Sequence, residues 1–254
     1  NYYSMGLLDK DSLGRLYIVG NTHNGNHRDL VITQISDKGE LESTFGNNGI
    51  KLLPLGVDNL PQAMDIENDL IHISSTGGGN RRILQTDLEG NLTSDFGISG
   101  ISLNPNPTSQ DGLFVSKDGK VYATGHRTGP NRLTATRFNT DGSVDTTFAN
   151  SGYLVSGASS DEFGAGFAFS PSQNEFYMFS ELWLGGGSGF DFSISRYNLD
   201  GTLDLTFNST GRRTLDYNNT NNRGRRLDFD NSHNLYFSGA NDGGSALVIK
   251  LLPD

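Results

Sequence analysis

Two histidines four residues apart are the residues whose types and spacing most resemble a chemical site. His23 and His27 are followed closely by Asp29. On a helix this spacing would form a metal-binding pair. Here the residues lie in a loop rich in glycine and asparagine, so the spacing does not fix their geometry. We therefore predict no metal site and no bound cofactor.

Other catalytic patterns are weak. Asp161 and Glu162 are adjacent carboxylates, but chain neighbours rarely form an acid–base pair by themselves. The glycine runs at 77–79 and 185–189 each lead into a strand, so no helix N-terminus follows to bind a phosphate. Neither G-x-S-x-G nor H-E-x-x-H occurs in the chain. These observations predict no catalytic residues and a protein that is not an enzyme.

The single tryptophan, Trp183, indicates a different chemistry. An aromatic ring stacks on the C–H face of a sugar, and nearby amide, carboxylate and guanidinium groups bind its hydroxyls. The alternative is that Trp183 is a packed or exposed loop residue without a ligand. The candidate ligand-binding residues are Trp183, His23, His27, Arg28, Arg81, His126, Arg127, Asp161, Tyr217, Asn241 and Asp242.

These candidates lie in the variable segments of an internal repeat. A phenylalanine followed four residues later by glycine recurs at spacings of 51, 52 and 59 residues. The pairs are Phe45/Gly49, Phe96/Gly100, Phe148/Gly152 and Phe207/Gly211. A short strand pattern recurs at similar intervals, at 14–20, 68–74, 119–125, 174–180 and 233–239. Internal repeats of this length decide the fold.

Each repeat contains short apolar segments separated by turn residues, which is typical of four strands. The predicted first strands are Met5–Leu8, Ala63–Ile66, Gly112–Val115, Gly166–Phe169 and Arg226–Phe229. The predicted third strands are Asp29–Ile35, Arg82–Thr86, Leu133–Phe138, Asp191–Tyr197 and Ala246–Leu251. The predicted fourth strands are Ile50–Leu53, Ile101–Leu103, Tyr153–Val155 and Arg213–Leu215. No window shows the apolar period of a helix, so helices should be few.

Four-stranded repeats of about 50 residues predict an all-β, five-bladed β-propeller. We expect one domain over 1–254, with blades at roughly 1–55, 56–104, 105–156, 157–216 and 217–254. The fifth repeat has neither a Phe–Gly tail nor a closing strand. We therefore expect residues flanking the chain to complete the ring, with the two termini side by side.

The tails of the repeats resemble the delta-60 repeat family. The matching segments are 36–52, 140–155 and 199–215, with a looser copy at 89–103. The resemblance implies a propeller-like fold within large secreted or surface-exposed bacterial proteins, and no shared catalytic residues. Ala149 and Asn208 stand where the pattern has glycine, so we expect looser turns there.

Residue types that recur in every repeat are interpreted as structural. The recurring phenylalanines should fill the core between blades. The glycines of the turns that follow the third strands should adopt positive φ. They are Gly39, Gly90, Gly142 and Gly201. Asp141 and Asp200 are expected to form Asx-turns rather than calcium loops. Long side-chain donors on the third strand should form a hydrogen bond or ion pair with the tail of the repeat, with Asp145 and Asp204 as candidate partners. These donors are Gln34, Gln85, Arg137, Arg196 and Lys250. His72 and His233 are also interpreted as structural.

Segments that differ between repeats are predicted to bind the ligand from one face of the propeller. The loops between second and third strands are 21–28, 75–81, 126–131, 182–189 and 240–245. The loops between consecutive blades are 55–61, 104–110, 156–163 and 217–223.

Composition narrows the class of partner. A net charge of −10 argues against nucleic acid and anionic membrane surfaces. The absence of cysteine excludes disulfides and thiolate metal sites. No apolar run is long enough to span a bilayer, so we predict no membrane insertion.

The sequence alone favours non-enzymatic recognition of a glycan or another cell-surface ligand by a bacterial surface or secreted protein. We expect an extracellular or cell-surface location, with the periplasm as an alternative. Other domains of the same chain are a further candidate partner. One alternative function is a polysaccharide hydrolase or lyase, which would need two carboxylates, or a histidine and a carboxylate, close together. Another is a protein–protein assembly module, which would expose an apolar patch.

Overall fold

A computed structural model describes residues 3–36, 38–106, 109, 112–185 and 189–251, with the side chains of residues 3–5 and 165 left aside. Parts of two predicted loops, residues 107, 108, 110 and 186–188, lie outside these ranges.

The described chain is all-β and forms five antiparallel sheets, which confirms the predicted fold class. The first sheet contains β1 (Tyr3–Lys10), β2 (Leu16–His23), β3 (Arg28–Ile35) and β4 (Ile50–Leu53). The second contains β5 (Asn59–Glu67), β6 (Leu70–Gly77), β7 (Asn80–Asp87) and β8 (Ile101–Leu103). The third contains β9 (Gly112–Val115), β10 (Val121–Arg127), β11 (Arg132–Phe138) and β12 (Tyr153–Val155). The fourth contains β13 (Glu162–Phe169), β14 (Glu175–Trp183), β15 (Phe190–Asn198) and β16 (Arg212–Leu215). The fifth contains β17 (Asn222–Phe229), β18 (Leu235–Asn241) and β19 (Ala246–Leu251).

The strands within each sheet follow chain order, because short turns join each strand to the next. In the described ranges the single helical element is a 3-10 turn at Phe207–Ser209. The chain divides into two compact units. Unit 1 is Asn1–Ala123 with Arg137–Val144, and unit 2 is Thr124–Thr136 with Asp145–Asp254.

The first strands begin earlier than the apolar pattern predicts in the second, fourth and fifth sheets. They start at Asn59, Glu162 and Asn222, rather than at Ala63, Gly166 and Arg226. A register shift lies between the two parts of each of these strands. Such a bulge reverses the alternation of side chains, so a search for one continuous period misses the polar half of the strand.

The recurring phenylalanines are buried, as predicted. Phe45, Phe96, Phe148 and Phe207 are at most 6% exposed. Phe45, Phe96 and Phe148 each lie against the turn glycine of the next repeat. A Cβ placed on Gly90 would lie 3.4 Å from Phe45, and one on Gly142 would lie 3.2 Å from Phe96. The ring is thus a contact between successive repeats.

The turn glycines and aspartates also behave as predicted. Gly142 and Gly201 have φ of 78° and 86°. The Asp141 carboxylate accepts the backbone N–H of Ser143 at 2.9 Å, and Asp200 accepts that of Thr202 at 2.8 Å. These are Asx-turns.

The long donors of the third strands bond mainly to the second strand. Gln34 donates to the Tyr17 hydroxyl at 2.6 Å, and the side chains of Gln85 and His72 are 2.8 Å apart. The predicted link to the tail is confirmed in the fourth repeat, where Arg196 donates to Asp204 at 2.7 Å. Burial lowers the pKa of His72 to about 4. His72 therefore serves as a neutral core residue.

The turns at Ala149 and Asn208 are not looser than the others. Ala149 has a φ of 44° and Asn208 a φ of 47°, close to the 55° of Gly46 and the 57° of Gly97. The same left-handed conformation is therefore kept without glycine, at a cost of roughly 1–2 kcal/mol for a residue with a Cβ.

Two aspartates link neighbouring first strands in unit 1. Asp9 accepts the backbone N–H of Ile66 at 2.9 Å, and Asp65 accepts that of Val115 at 2.5 Å. Burial, followed by the charge of Asp9, raises the pKa of Asp65 to about 7. The Asp65 carboxyl therefore holds a proton at mildly acidic pH.

We predict that this proton makes stability depend on pH. The folded pKa of Asp65 lies above its ordinary value of 3.8, so its protonated form stabilises the fold below about pH 4. That contribution falls as the pH rises through 7. In Asp65→Asn the free energy of unfolding, measured by urea titration, should depend less on pH over this window. Asp228→Asn is the control, because Asp228 holds the same register position opposite Tyr236 but is exposed. Equal pH dependence in wild type and Asp65→Asn would contradict this assignment.

We predict that Ala149→Gly raises the free energy of unfolding by about 0.5–1 kcal/mol. It removes the left-handed strain, and the greater freedom of glycine in the unfolded chain offsets part of the gain. Asn208→Gly should gain less, because asparagine tolerates this conformation and its side chain donates to the Arg212 carbonyl at 2.8 Å. Chemical denaturation measures both, and a destabilised Ala149→Gly would refute the argument.

Candidate functional site

The loop between β2 and β3 holds His27 in a fixed position. Asn24 donates its backbone N–H to the His27 carbonyl at 3.0 Å. Its side-chain oxygen accepts the backbone N–H groups of Asn26 and His27 at 3.0 and 3.1 Å. His23 accepts the N–H of Gly25 at 3.0 Å. The glycine- and asparagine-rich loop between β2 and β3 is therefore a closed hairpin.

This hairpin brings His27 against a buried carboxylate. The Nε2 atom of His27 lies 3.1 Å from Asp29 Oδ1. The Asp29 side chain is 2% exposed and the His27 ring is 23% exposed. Asn24 donates to the other oxygen of Asp29 at 2.7 Å. The same Nε2 also lies 3.0 Å from the Asn24 side-chain nitrogen. Asp29 Oδ1 has no hydrogen-bond partner among the described residues, so the His27–Asp29 contact is a close approach of two groups and not an aligned hydrogen bond.

Charged residues flank this pair in unit 1. The Arg28 N–H donates to Asp58 at 2.8 Å, and its guanidinium lies 3.7 Å from the same carboxylate. Arg28 is half-exposed. Arg81 lies on the second sheet, where it pairs with Thr76, and its carbonyl accepts the N–H of Asn104 at 2.9 Å. We call His23, Asn24, His27, Arg28, Asp29 and Asp58 the His–Asp cluster.

A second group of candidates surrounds Trp183 in unit 2. The Trp183 and Phe190 ring centroids are 4.8 Å apart, and Phe163 meets Phe190 edge-on at 5.5 Å. Arg223 lies 4.0 Å from the centre of the Phe190 ring and binds Glu181 at 2.8 Å. Trp183 itself is 42% exposed. We call these five residues the tryptophan cluster.

Three other candidates support this cluster rather than stand free. The Trp183 N–H donates to the Asp161 carbonyl at 2.8 Å. The Asp161 side chain accepts the N–H of Asn131 at 3.0 Å. Asp242 bonds Asn221, which in turn accepts the N–H of Phe190 at 2.9 Å. Asn241 accepts the N–H of Ser245 at 3.0 Å. These side chains hold loops in place.

The remaining candidates lie in unit 2 near strand ends. His126 and Arg127 end β10. Tyr217 is 38% exposed, and its carbonyl accepts the Thr220 hydroxyl at 3.0 Å.

Sequence reasoning set Glu162 aside as a chain neighbour of Asp161 and missed that its carboxylate is buried. It is fully buried, binds Arg212 at 2.9 Å and accepts from Ser180 at 3.3 Å and from Ser156. Glu162 begins β13, where Asn59 and Asn222 begin the corresponding strands. The replacement of asparagine by glutamate at this repeat position is the sequence signal that could have identified the site. Asp191, on β15 of the same sheet, has its pKa raised by burial and then by the charge of Asp216.

Comparison with known families identifies a propeller-type repeat. Residues 117–148 and 183–207 match a family described as a domain of unknown function, DUF5122, β-propeller. No curated protein matches the chain.

The fold is similar to that of solved carbohydrate-related enzymes. A polysaccharide lyase aligns with a TM-score of 0.55 at 12% identity, over 96% of this chain and 57% of its own. A glycoside hydrolase aligns with a TM-score of 0.47 at 15% identity, over 99% and 59%. A periplasmic gluconolactonase from Pseudomonas aeruginosa gives 0.46 at 11% identity, over 93% and 68%. This chain therefore spans less than two thirds of the length of the first two, and the likeness at these identities is one of fold.

The expectation of non-enzymatic adhesion is wrong. The finding against it is that a solved structure of similar fold, with a TM-score of 0.55, is a polysaccharide lyase. The sequence argument dismissed His23 and His27 as a metal pair for lack of fixed geometry. The β2–β3 hairpin supplies a geometry that the sequence pattern does not show, and it places His27 next to a buried carboxylate.

Two surveys of the described residues complete this description. No cluster of three or more His, Asp or Glu side chains in them could hold a metal ion. No helix in the described part of the chain is long and apolar enough to cross a membrane.

We predict that Glu162→Gln lowers the free energy of unfolding by about 3–5 kcal/mol, because it leaves Arg212 without its buried counter-charge. Asp58→Asn is the matched control at the half-exposed Arg28–Asp58 pair and should cost about 0–1 kcal/mol. Urea titration measures both. Equal losses of unfolding free energy in the two variants would show that the Glu162–Arg212 pair does not behave as a buried ion pair.

Proposed function

We propose that this chain acts enzymatically on a polysaccharide, with His27 as the acid–base residue and Asp29 as its positioning residue. The observation that carries this proposal is the 3.1 Å contact between His27 and a carboxylate that is 2% exposed. A buried carboxylate this close stabilises the imidazolium that forms when the ring takes a proton.

The chemistry favoured here is elimination on a uronate-containing chain. A ring nitrogen of His27 removes the proton from the carbon next to the sugar carboxylate. A carbon–carbon double bond forms as the glycosidic C–O bond breaks, and the leaving oxygen takes a proton from water. Arg28, adjacent in sequence and half-exposed, supplies positive charge for the substrate carboxylate. The fold likeness to a polysaccharide lyase supports the same direction.

Hydrolysis is the second candidate. In that case His27 would activate water instead of removing a carbon-bound proton. The two reactions give different products, since only elimination creates an unsaturated sugar.

The tryptophan cluster is proposed to bind sugar. Its exposed indole offers a stacking surface, and the neighbouring Arg223–Glu181 pair offers polar groups for hydroxyls. Each residue of the sequence-based set remains a candidate for sugar contacts within its own unit.

Finer assignments of fold and location belong to the same proposal. We propose a single domain built as a five-bladed propeller of delta-60 repeats. The family match and the five sheets support it. An extracellular, cell-surface or periplasmic location in a bacterium suits a polysaccharide substrate.

The test is an assay of the purified chain on a panel of uronate-containing and neutral polysaccharides. Ultraviolet absorbance of an unsaturated product reports elimination, and new reducing ends without that absorbance report hydrolysis. His27→Ala should lower kcat/KM by about 10²- to 10⁴-fold. Asp29→Asn should lower kcat and alter the pH profile of the reaction, while KM changes less.

The control is His233→Asn, which removes an exposed histidine in the turn between β17 and β18, where the backbone adopts a φ of 64°. It should keep full activity. Circular dichroism confirms that each variant is folded. Absence of activity on every polysaccharide, or full activity in folded His27→Ala, would refute the proposal.

A further inference from the structure

A pocket of about 450 Å³ lies in the first repeat, at the end opposite the β2–β3 loop. Its apolar lining comes from Leu13, Leu16 and Ile35, and Gly39 lies on its wall. Arg15 and Glu42 are also part of the lining. It is separate from the His–Asp cluster, since these residues come from the turns at the other end of the strands.

In later repeats the preceding phenylalanine occupies the corresponding place. A Cβ built on Gly90 would meet Phe45 at 3.4 Å, one on Gly142 would meet Phe96 at 3.2 Å, and one on Gly201 would meet Phe148 at 2.9 Å. Gly39 holds the same turn position in the first repeat. In the described part of the chain, nothing lies within 4 Å of a Cβ built there.

Polar contacts accompany the ring in two of the three occupied copies. In these two, the residue after the phenylalanine donates its N–H to the carbonyl just before the turn glycine. Gly97 donates to Asp141 at 2.7 Å, and Ala149 donates to Asp200 at 2.6 Å. Ser102 donates to the carbonyl of Gly142 at 2.6 Å. The corresponding acceptors in the first repeat are the carbonyls of Lys38 and Gly39.

The apolar wall corresponds as well. Phe148 lies 6.2 Å from Phe176, ring centre to ring centre. Phe176 pairs with Tyr197 near the start of the second strand of its sheet, and Leu16 pairs with Ile35 at the same place in the first sheet. The pocket therefore has the wall, the glycine and the carbonyl acceptors of an occupied copy.

We propose that this pocket is a socket for the Phe–Gly tail of a further repeat of the same kind. The occupant places its phenylalanine over Gly39 and donates the next backbone N–H to Lys38. The three occupied copies within the chain define its chemistry: an aromatic ring followed by a residue in the left-handed conformation.

A second copy of this chain is a poor source for such a tail. Its four phenylalanines at this position are each at most 6% exposed in their own sockets or cores. Supplying one would require opening that core, and losing a buried phenylalanine costs about 3–5 kcal/mol in mutational series. The socket thus fits a tail outside the four that the chain already buries.

The probe is a synthetic peptide with the sequence of residues 92–102, added to the full chain. It should raise the melting temperature, because a ligand that binds only the folded state stabilises it. It should also protect the backbone N–H groups of residues 13–16 and 34–36 from hydrogen exchange. The same peptide carrying F96A should do neither.

Leu13→Asp tests the socket itself. Leu13 is 78% exposed, so the variant should fold, and its affinity for the peptide should fall at least tenfold. Leu205→Asp is the matched control, since Leu205 is 64% exposed and does not line the pocket. Its affinity should match that of the wild type.

Several outcomes would overturn the proposal. They are no binding at millimolar peptide, equal binding of the F96A peptide, or protection confined to other residues. Dimerisation that excludes the peptide would show that a second copy is the occupant. None of these results depends on enzymatic activity, so the socket and the proposed function fail or succeed separately.

Discussion

A phenylalanine ring lying on the turn glycine of the next repeat is the contact on which the rest of this structure depends. Phe45 on Gly90, Phe96 on Gly142 and Phe148 on Gly201 repeat the same arrangement. The glycine has a positive φ, and a Cβ on it would lie 2.9–3.4 Å from the ring and closer still to Lys51, to the Gly97 nitrogen or to the Ala149 Cβ. An isolated sheet of three or four short strands buries too little surface to be stable. Each sheet therefore gains stability mainly through its neighbour in the chain.

This repeated contact lets the ends of the strands carry unusual polar groups. Glu162 and Asp29 are buried carboxylates, and burying charge is costly unless it is paired or hydrogen-bonded. Glu162 has Arg212 and two hydroxyls, while Asp29 has His27 and the Asn24 amide. The sheets hold these partners at fixed separations, and among the described residues Asp29 Oδ1 has no hydrogen-bond partner. The same rigidity is what a positioned acid–base residue needs.

The repeating parts of the fold could be predicted from the sequence, because each rests on local rules. The fourth strands at Ile50–Leu53 and Ile101–Leu103 match the apolar pattern at both ends. The early starts of β5, β13 and β17 could not be found, since the bulges interrupt the alternation. The His27–Asp29 contact depends on how Asn24 closes a loop. The Glu162–Arg212 pair joins residues 50 positions apart, which no local pattern encodes.

The fifth sheet shows by contrast how much the neighbour contributes. Val248 on β19 is 75% exposed, whereas Ile32, Ile83 and Ile194 at the corresponding position of their sheets are 0% exposed. The side chains are similar, so the difference lies in what covers them. Uncovering one such residue forgoes about 1.5–3 kcal/mol of burial, a large fraction of the stability of a typical domain. Local opening should therefore begin at β19, while the sheets that carry Asp29 and Glu162 stay closed because a phenylalanine and a following sheet cover them.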